Sequence, residues 1–295
     1  MFKNLNTSAL GFSGHSSEVI ELALSNQFKG IDLDLMEFAR QVESRGLGPA
    51  KRLIDSARLR IGSFGLPVAW EGDAETYKRD LDALPKSAEM AQQVGCTRMT
   101  TTIEPAGDMR PYHENFELHR RRFTEIGDVL AKYSVRLGVG FLAPTKLREG
   151  RAFQFIQTFD AVVMLLRSIA SPHVGLALDT WHWHIGGGTF DQLRAVGGQN
   201  VVTVSLADAE SGAAAAAADE SGRKLPGDTG VIDNAAVLTY LAEAGYDGPV
   251  TPRPHPTQFA GVGRDKIVKA AATALDQVWK AAGLGPSGRL MIASK

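Results

Sequence analysis

Eight times along this chain a short apolar run is followed by an amphipathic segment, and that alternation restricts the fold more than any other feature. The runs Leu5–Phe12, Gly30–Leu35, Ile61–Val68, Arg98–Ile103, Arg136–Ala143, the one opening at Gly175, Val201–Ala209 and Pro249–Pro254 predict strands. Helices are expected between them. The first follows Ser16 or Ser17, the second reaches Leu59 with a break near Gly46-Leu47-Gly48-Pro49, and the third runs from Asp73 to Val94 with an interruption at Pro85. Others run from Asn115 to Tyr133, from Phe153 to Ala170, from near Thr189, from Asn234 to Gly245, and from Asp265 to Ala282. Parallel strands need crossovers of one hand, and eight such units close a (β/α)8 barrel. A doubly wound open sheet is the alternative, but no Gly-x-Gly-x-x-Gly turn follows an early strand.

No linker interrupts the pattern, so residues 1–284 are expected to form one barrel domain. The polar stretch 285–295 is expected to fray, and Ser211–Ala218, with its six consecutive alanines, to form a mobile loop. A hydrophobic share of 44% and a charged share of 22% suit a soluble globular protein. The net charge of −1 leaves no electrostatic footprint for nucleic acid. The single cysteine, Cys96, excludes an internal disulfide and is expected to be a small core residue. No apolar signal core and no run of ~20 uncharged apolar residues is present, so no membrane partner is expected and a cytoplasmic location is. A homo-oligomer is compatible with this composition.

The stretch with most chemistry is Gly175-Leu176-Ala177-Leu178-Asp179-Thr180-Trp181-His182-Trp183-His184. It begins as a strand buried on both faces and ends in a carboxylate, two imidazoles and two indoles. Chemistry in a parallel barrel gathers at the C-terminal strand ends, so the cluster reads as a site with Asp179 and His182 as its catalytic candidates. The plainer reading makes Asp179 a cap for the next turn and the aromatics a lid on the rim. Asp208 could orient a ligand hydroxyl or cap its loop, and His255 could face the cavity or solvent. Arg148 with Lys146 could meet an anionic group, and Glu104 could supply a carboxylate. Gly186-Gly187-Gly188 could form an anion nest, while Trp70 and Trp181 could wall the apolar face of a ligand or simply pack.

The order of strand ends resembles the sugar (and sugar phosphate) isomerase/epimerase family with the xylose isomerase-like TIM barrel. The segments that carry the resemblance are Pro111–Phe116, Leu137–Pro144, Leu178–Trp183, Val204–Asp208, Leu225–Asp233 and Gly245–Val250. The resemblance implies a divalent metal (Mn, Mg or Co) held by a glutamate, an aspartate, a histidine and a second glutamate at four successive strand ends. It also implies proton transfer next to a carbonyl through an enediolate.

The chain departs from that pattern at the ligands themselves. The first glutamate falls at Gly140, the histidine at Ser205 and the second glutamate at Arg253, so only Asp179 remains, with His182 beside it. A guanidinium ~4 Å from a dication at an effective dielectric of ~20 would be repelled by roughly 8 kcal/mol. Arg253 is therefore expected to pair with Asp179, with no cofactor bound as the chain stands. Three functions remain: an isomerase or epimerase of a sugar or polyol with impaired metal chemistry; a non-catalytic relative binding a small ligand through Asp179, His182 and Arg253; and an abasic-site endonuclease, disfavoured for want of ligands and basic surface. Arg148, Trp181, Asp208, Arg253 and His255 are the expected substrate contacts.

Overall fold

The computed structural model describes residues 1–212 and 217–291. A nearly closed ring of parallel strands is surrounded by helices. In chain order they are β1 (Phe2–Leu5), α1 (Ser16–Ser25), β2 (Gly30–Ile31), α2 (Leu35–Arg45), α3 (Leu47–Ala57), β3 (Arg60–Ile61), β4 (Phe64–Gly65), α4 (Ala74–Gln93), β5 (Arg98–Ile103), β6 (Ala106–Gly107) and α5 (Tyr112–Ala131). There follow β7 (Arg136–Phe141), β8 (Phe153–Gln154), α6 (Phe159–Ser168), β9 (Val174–Asp179), α7 (Thr180–Ile185), α8 (Phe190–Val196), β10 (Val201–Leu206), α9 (Asn234–Glu243), β11 (Pro249–Pro252) and α10 (Arg264–Ala281). The sheet order β3-β2-β1-β11-β10-β9-β7-β5-β4 makes eight staves, because β3 and β4 are two halves of one stave. Ile61 pairs with β2 on one side and Phe64 with β5 on the other. Gly62 permits the break: a Cβ there would lie 2.4 Å from Asn4 Oδ1 and 2.6 Å from Asp32 Oδ1.

Strands are shorter than apolar patterning suggests, because pairing stops where the chain turns outward to build the rim. The first starts at Phe2 rather than Leu5, and residues Ser8–Leu10 form a 3-10 turn. Asn6 Oδ1 accepts the Ala9 N–H to fix that turn, which outweighs the apolar character of the segment. Helix α4 runs through Pro85 without breaking. Asp233, not Asn234, caps α9 by accepting the Ala236 N–H, and α6 starts at Phe159 under a Thr158 cap, while Phe153–Gln154 pair with β6 instead. In the tail, Leu284 bridges Leu290, and Trp279 Nε1 donates to the Gly285 carbonyl. Residues 292–295, and residues 213–216 of the alanine-rich loop, lie outside the described residues. No helix among the described residues is long and apolar enough to cross a membrane.

Between the staves and the helices lies one core that includes Ile31, Met99, Val139, Leu176, Val204 and Val250, together with Cys96. Burial pushes the Cys96 thiol up to about 12, so it is not a nucleophile at neutral pH. Helix α5 brings a second titratable group inside. His119 is 1% exposed, its Nδ1 lies 2.6 Å from the Asn115 carbonyl, and Trp70, Phe123 and Phe155 surround the ring. Burial lowers its pKa from 6.5 to about 4.

That shift predicts a pH dependence. The unfolded chain takes up this proton near pH 6.5 and the folded one only near 4, so stability is complete above the upper value. It should fall by up to roughly 3 kcal/mol as pH drops through the window. Urea unfolding at pH 7 and pH 4.5 checks this. His119→Phe should lose much less on acidification, and an equal loss in both proteins would remove His119 as the cause.

Candidate functional site

The site is assembled at the C-terminal ends of the staves, where inward-facing side chains line a cavity of about 290 Å³. Strand periodicity decides which residues meet there, since alternate positions face the barrel interior. Gly140, Asp179, His182, Ser205 and Arg253 all line it, as do Asn6, Asp32, Ser63 and Thr102. Ser205 pairs directly with Asp179 on one side and with Thr251 on the other.

Asp179 does two jobs. Its Oδ1 caps α7 by accepting the N–H groups of Trp181 and His182 at 3.0 and 3.2 Å. Its Oδ2 accepts a hydrogen bond from Arg223 Nη2 at 2.6 Å. Arg253, the expected partner, does pair with Asp179, but more loosely than Arg223: its Nη1 stands 3.9 Å away and its side chain is 48% exposed, whereas that of Arg223 is 3% exposed. Arg223 can come closer because the rest of its guanidinium is also held. Nε donates to the Arg253 carbonyl at 3.1 Å, and the group stacks 5.2 Å over the Trp181 ring. Burial pushes the Asp179 carboxyl up, but Arg223, His182 and Arg253 more than reverse this and hold it well below the usual carboxylate range.

His182 is buried on α7 against the end of β7. Its Nδ1 accepts the Ala143 N–H at 3.4 Å, which places the neutral ring's proton on Nε2. There it faces Glu220 Oε1 at 3.3 Å, with Arg223 Nη1 at 3.2 Å. The hydrogen bond from His182 holds Glu220 below its usual range, against the burial that pushes it up.

On the opposite stave from Asp179, four strands away in the ring, stands Asp32. Asn4 Nδ2 and Asn6 Nδ2 donate to its two oxygens at 3.0 and 2.9 Å, and the Ser63 N–H adds a third bond at 2.9 Å. Desolvation still dominates these bonds and raises its pKa.

Several expected site residues lie elsewhere. Asp208 accepts the N–H groups of Ala209, Thr229, Gly230 and Ile232, so loop capping consumes the carboxylate. His255 is a cap as well: its side chain accepts the Thr257 N–H, and it does not line the cavity. Arg148 Nη2 donates to Thr145 Oγ1 in a 3-10 turn away from the cavity. Trp181 is buried behind Arg223 rather than facing a ligand, and Trp70 Nε1 donates to Thr101 Oγ1. Glu104 is exposed on its loop. No residue pattern marks Arg223 or Asp32 in advance. Arg223 sits 44 residues from its partner in a polar loop, and Asp32 alternates with apolar residues as any half-exposed strand would.

A profile described as xylose isomerase-like TIM barrel matches residues 20–278. An inosose isomerase from Bacillus subtilis (strain 168) is 27% identical over 158 residues, 53% of this chain and 54% of that protein. The chain thus spans about half the length of the curated relatives it matches. A xylose isomerase domain protein from Alicyclobacillus acidocaldarius superposes with a TM-score of 0.84 at 24% identity, covering 95% of this chain and 98% of that one. The IolI protein with a bound zinc atom superposes with a TM-score of 0.78 at 16% identity, covering 96% and 98%.

The residues of this chain do not fit such an ion. No group of three or more His, Cys, Asp and Glu side chains able to hold one exists among the described residues. Asp179 already accepts from Arg223 and two backbone N–H groups, and Arg253 adds a second positive charge beside it. A dication there would meet two guanidiniums, and the nearest carboxylates are already engaged, Asp179 by Arg223 and Glu220 by His182.

Proposed function

Since this chain belongs to the xylose isomerase-like TIM barrel family, we propose that it binds a neutral sugar or cyclitol bearing a carbonyl group and acts on it as an isomerase or epimerase without a divalent metal. The observation that carries this reading is the 2.6 Å contact between Arg223 and Asp179. A fixed cation, part of the chain itself, lies beside the carboxylate that the family resemblance assigns to metal binding. The half-exposed guanidinium of Arg253 opens onto the same cavity and can accept negative charge developing on a substrate oxygen. Two groups on opposite staves can exchange protons with a carbon between them. Asp32, with its raised pKa, suits the acid role, and His182 takes the base role through Nδ1, giving up its long 3.4 Å contact with the Ala143 N–H while Nε2–H stays on Glu220.

A second reading has its own support. Both ring nitrogens of His182 already have partners, which would suit a barrel that holds a ligand without turning it over. Deuterium exchange separates the two readings. Ketoses and inososes incubated with the protein in ²H₂O plus a chelator should gain deuterium next to the carbonyl, followed by proton NMR. Binding without exchange would favour the second reading, and binding abolished by the chelator would overturn the metal-free proposal.

A further inference from the structure

Beside the central cavity lies a second and larger one of about 390 Å³, over the loops that follow β1, β2 and β4. Asn6, Ser8 and Asp32 line both, so the two lobes abut at these residues. Small-molecule sites commonly run from about 300 to 1,000 Å³. The central lobe alone sits at the lower edge of that range, and the two lobes together fall well inside it.

The lobes differ in charge. The central lobe sets Arg253 and His182 against Asp32 and Asp179, so that it carries both signs. The residues around the lateral lobe include Asp32, Asp34 and Glu37, and no lysine, arginine or histidine. Ser13 and Ser16 add hydroxyls to its wall, and Leu66 and Phe38 add apolar surface. Acceptors, hydroxyls and apolar patches together suit a neutral polyhydroxylated ring, whose hydroxyls donate and whose C–H faces pack. The same carboxylates repel a phosphate or carboxylate. Asp34 and Glu37 keep capacity to accept, since one oxygen of Asp34 takes the Glu37 N–H and one of Glu37 takes Gln41 Nε2.

We propose that the ligand has two neutral sugar-like units: the carbonyl-bearing ring occupies the central lobe, a second hydroxyl-rich ring occupies the lateral lobe, and Asp32 lies at the junction. This rests on the reading that the central lobe takes a sugar-like compound. It specifies the substrate class as a disaccharide or glycoside, not a sugar phosphate.

Calorimetric titration of the full chain tests it. The probes are glucose, galactose and mannose, the disaccharides maltose, lactose and mannobiose, and glucose 6-phosphate. At least one disaccharide should bind tenfold or more tightly than its parent hexose, and glucose 6-phosphate no more tightly than glucose. Ser13→Trp, placed on an exposed wall of the lateral lobe, should remove the disaccharide advantage and leave hexose affinity within twofold. Glu37→Lys keeps the test open should the first variant fold poorly: it should tighten glucose 6-phosphate binding relative to glucose. Hexose binding with no disaccharide gain, or a gain that survives Ser13→Trp, overturns this inference and leaves the central site standing. If no probe binds, both readings fall.

Discussion

A chain carrying Gly140→Glu, Ser205→His and Arg253→Glu but keeping Arg223 is expected to bind Mn²⁺ no more tightly than the unaltered chain, at millimolar concentration or weaker. Adding Arg223→Ala should bring binding into the micromolar range. The triple change restores the donor types that the family resemblance implies, and position 140 has room for one. A Cβ there would meet nothing closer than the Ala177 carbonyl at 3.5 Å. What the triple change leaves in place is the guanidinium 2.6 Å from Asp179 Oδ2. At ~4 Å and an effective dielectric of ~20 it would repel a dication by roughly 8 kcal/mol, cancelling one of the two added carboxylates at the same distance, and it holds the Asp179 oxygen that the ion would need. Calorimetry on the unaltered, triple and quadruple chains decides the matter. Micromolar binding in the unaltered or triple chain would show that Arg223 yields its position, and the metal-free reading would then be lost.

Asp179→Ala is expected to cost about 3–5 kcal/mol of folding stability, because it strands a buried guanidinium without its counter-charge. Loss of the α7 cap contributes about 1 kcal/mol of that. Arg223 is 3% exposed and cannot reach water, while Arg253, 48% exposed, can. Arg253→Ala should therefore change stability by less than about 1 kcal/mol. Replacing both members of the pair, as Asp179→Leu with Arg223→Met, should recover most of the loss. Urea denaturation of the single and double variants measures each step. An Asp179→Ala cost below about 1 kcal/mol would mean that the ion pair does not hold the site together. The depressed pKa of Asp179 gives the accompanying sign: its contribution is complete above the ordinary aspartate range and is lost as pH falls toward the folded value.

Much of the barrel was legible because strand and helix periodicity are local properties. Arg98–Ile103 pairs over its full length with Arg136–Phe141 as apolar patterning anticipates. The rim was less legible. Whether Leu5–Phe12 continues a strand depends on Asn6 capturing the Ala9 N–H, and whether residues 60–65 form one strand depends on Asn4 and Asp32 crowding Gly62. Neither contact is marked by residue type. For Asp208 the residue type allows ligand contact or loop capping and for His255 cavity or solvent, and only the fold shows that both side chains cap their loops.

The sequence by itself determined that parallel strands would alternate with helices around a ring, which follows from short-range patterning. That Gly140, Asp179, Ser205 and Arg253 stand at successive strand ends is what the family resemblance implied. Only the tertiary structure decided which cation meets Asp179. Residues 44 apart are brought to 2.6 Å by a loop whose course no local propensity encodes, and the winner is the arginine whose remaining donors and ring face the surrounding structure also satisfies. The same holds for Asp32, whose proton affinity comes from its neighbours and its burial at the junction of two cavities.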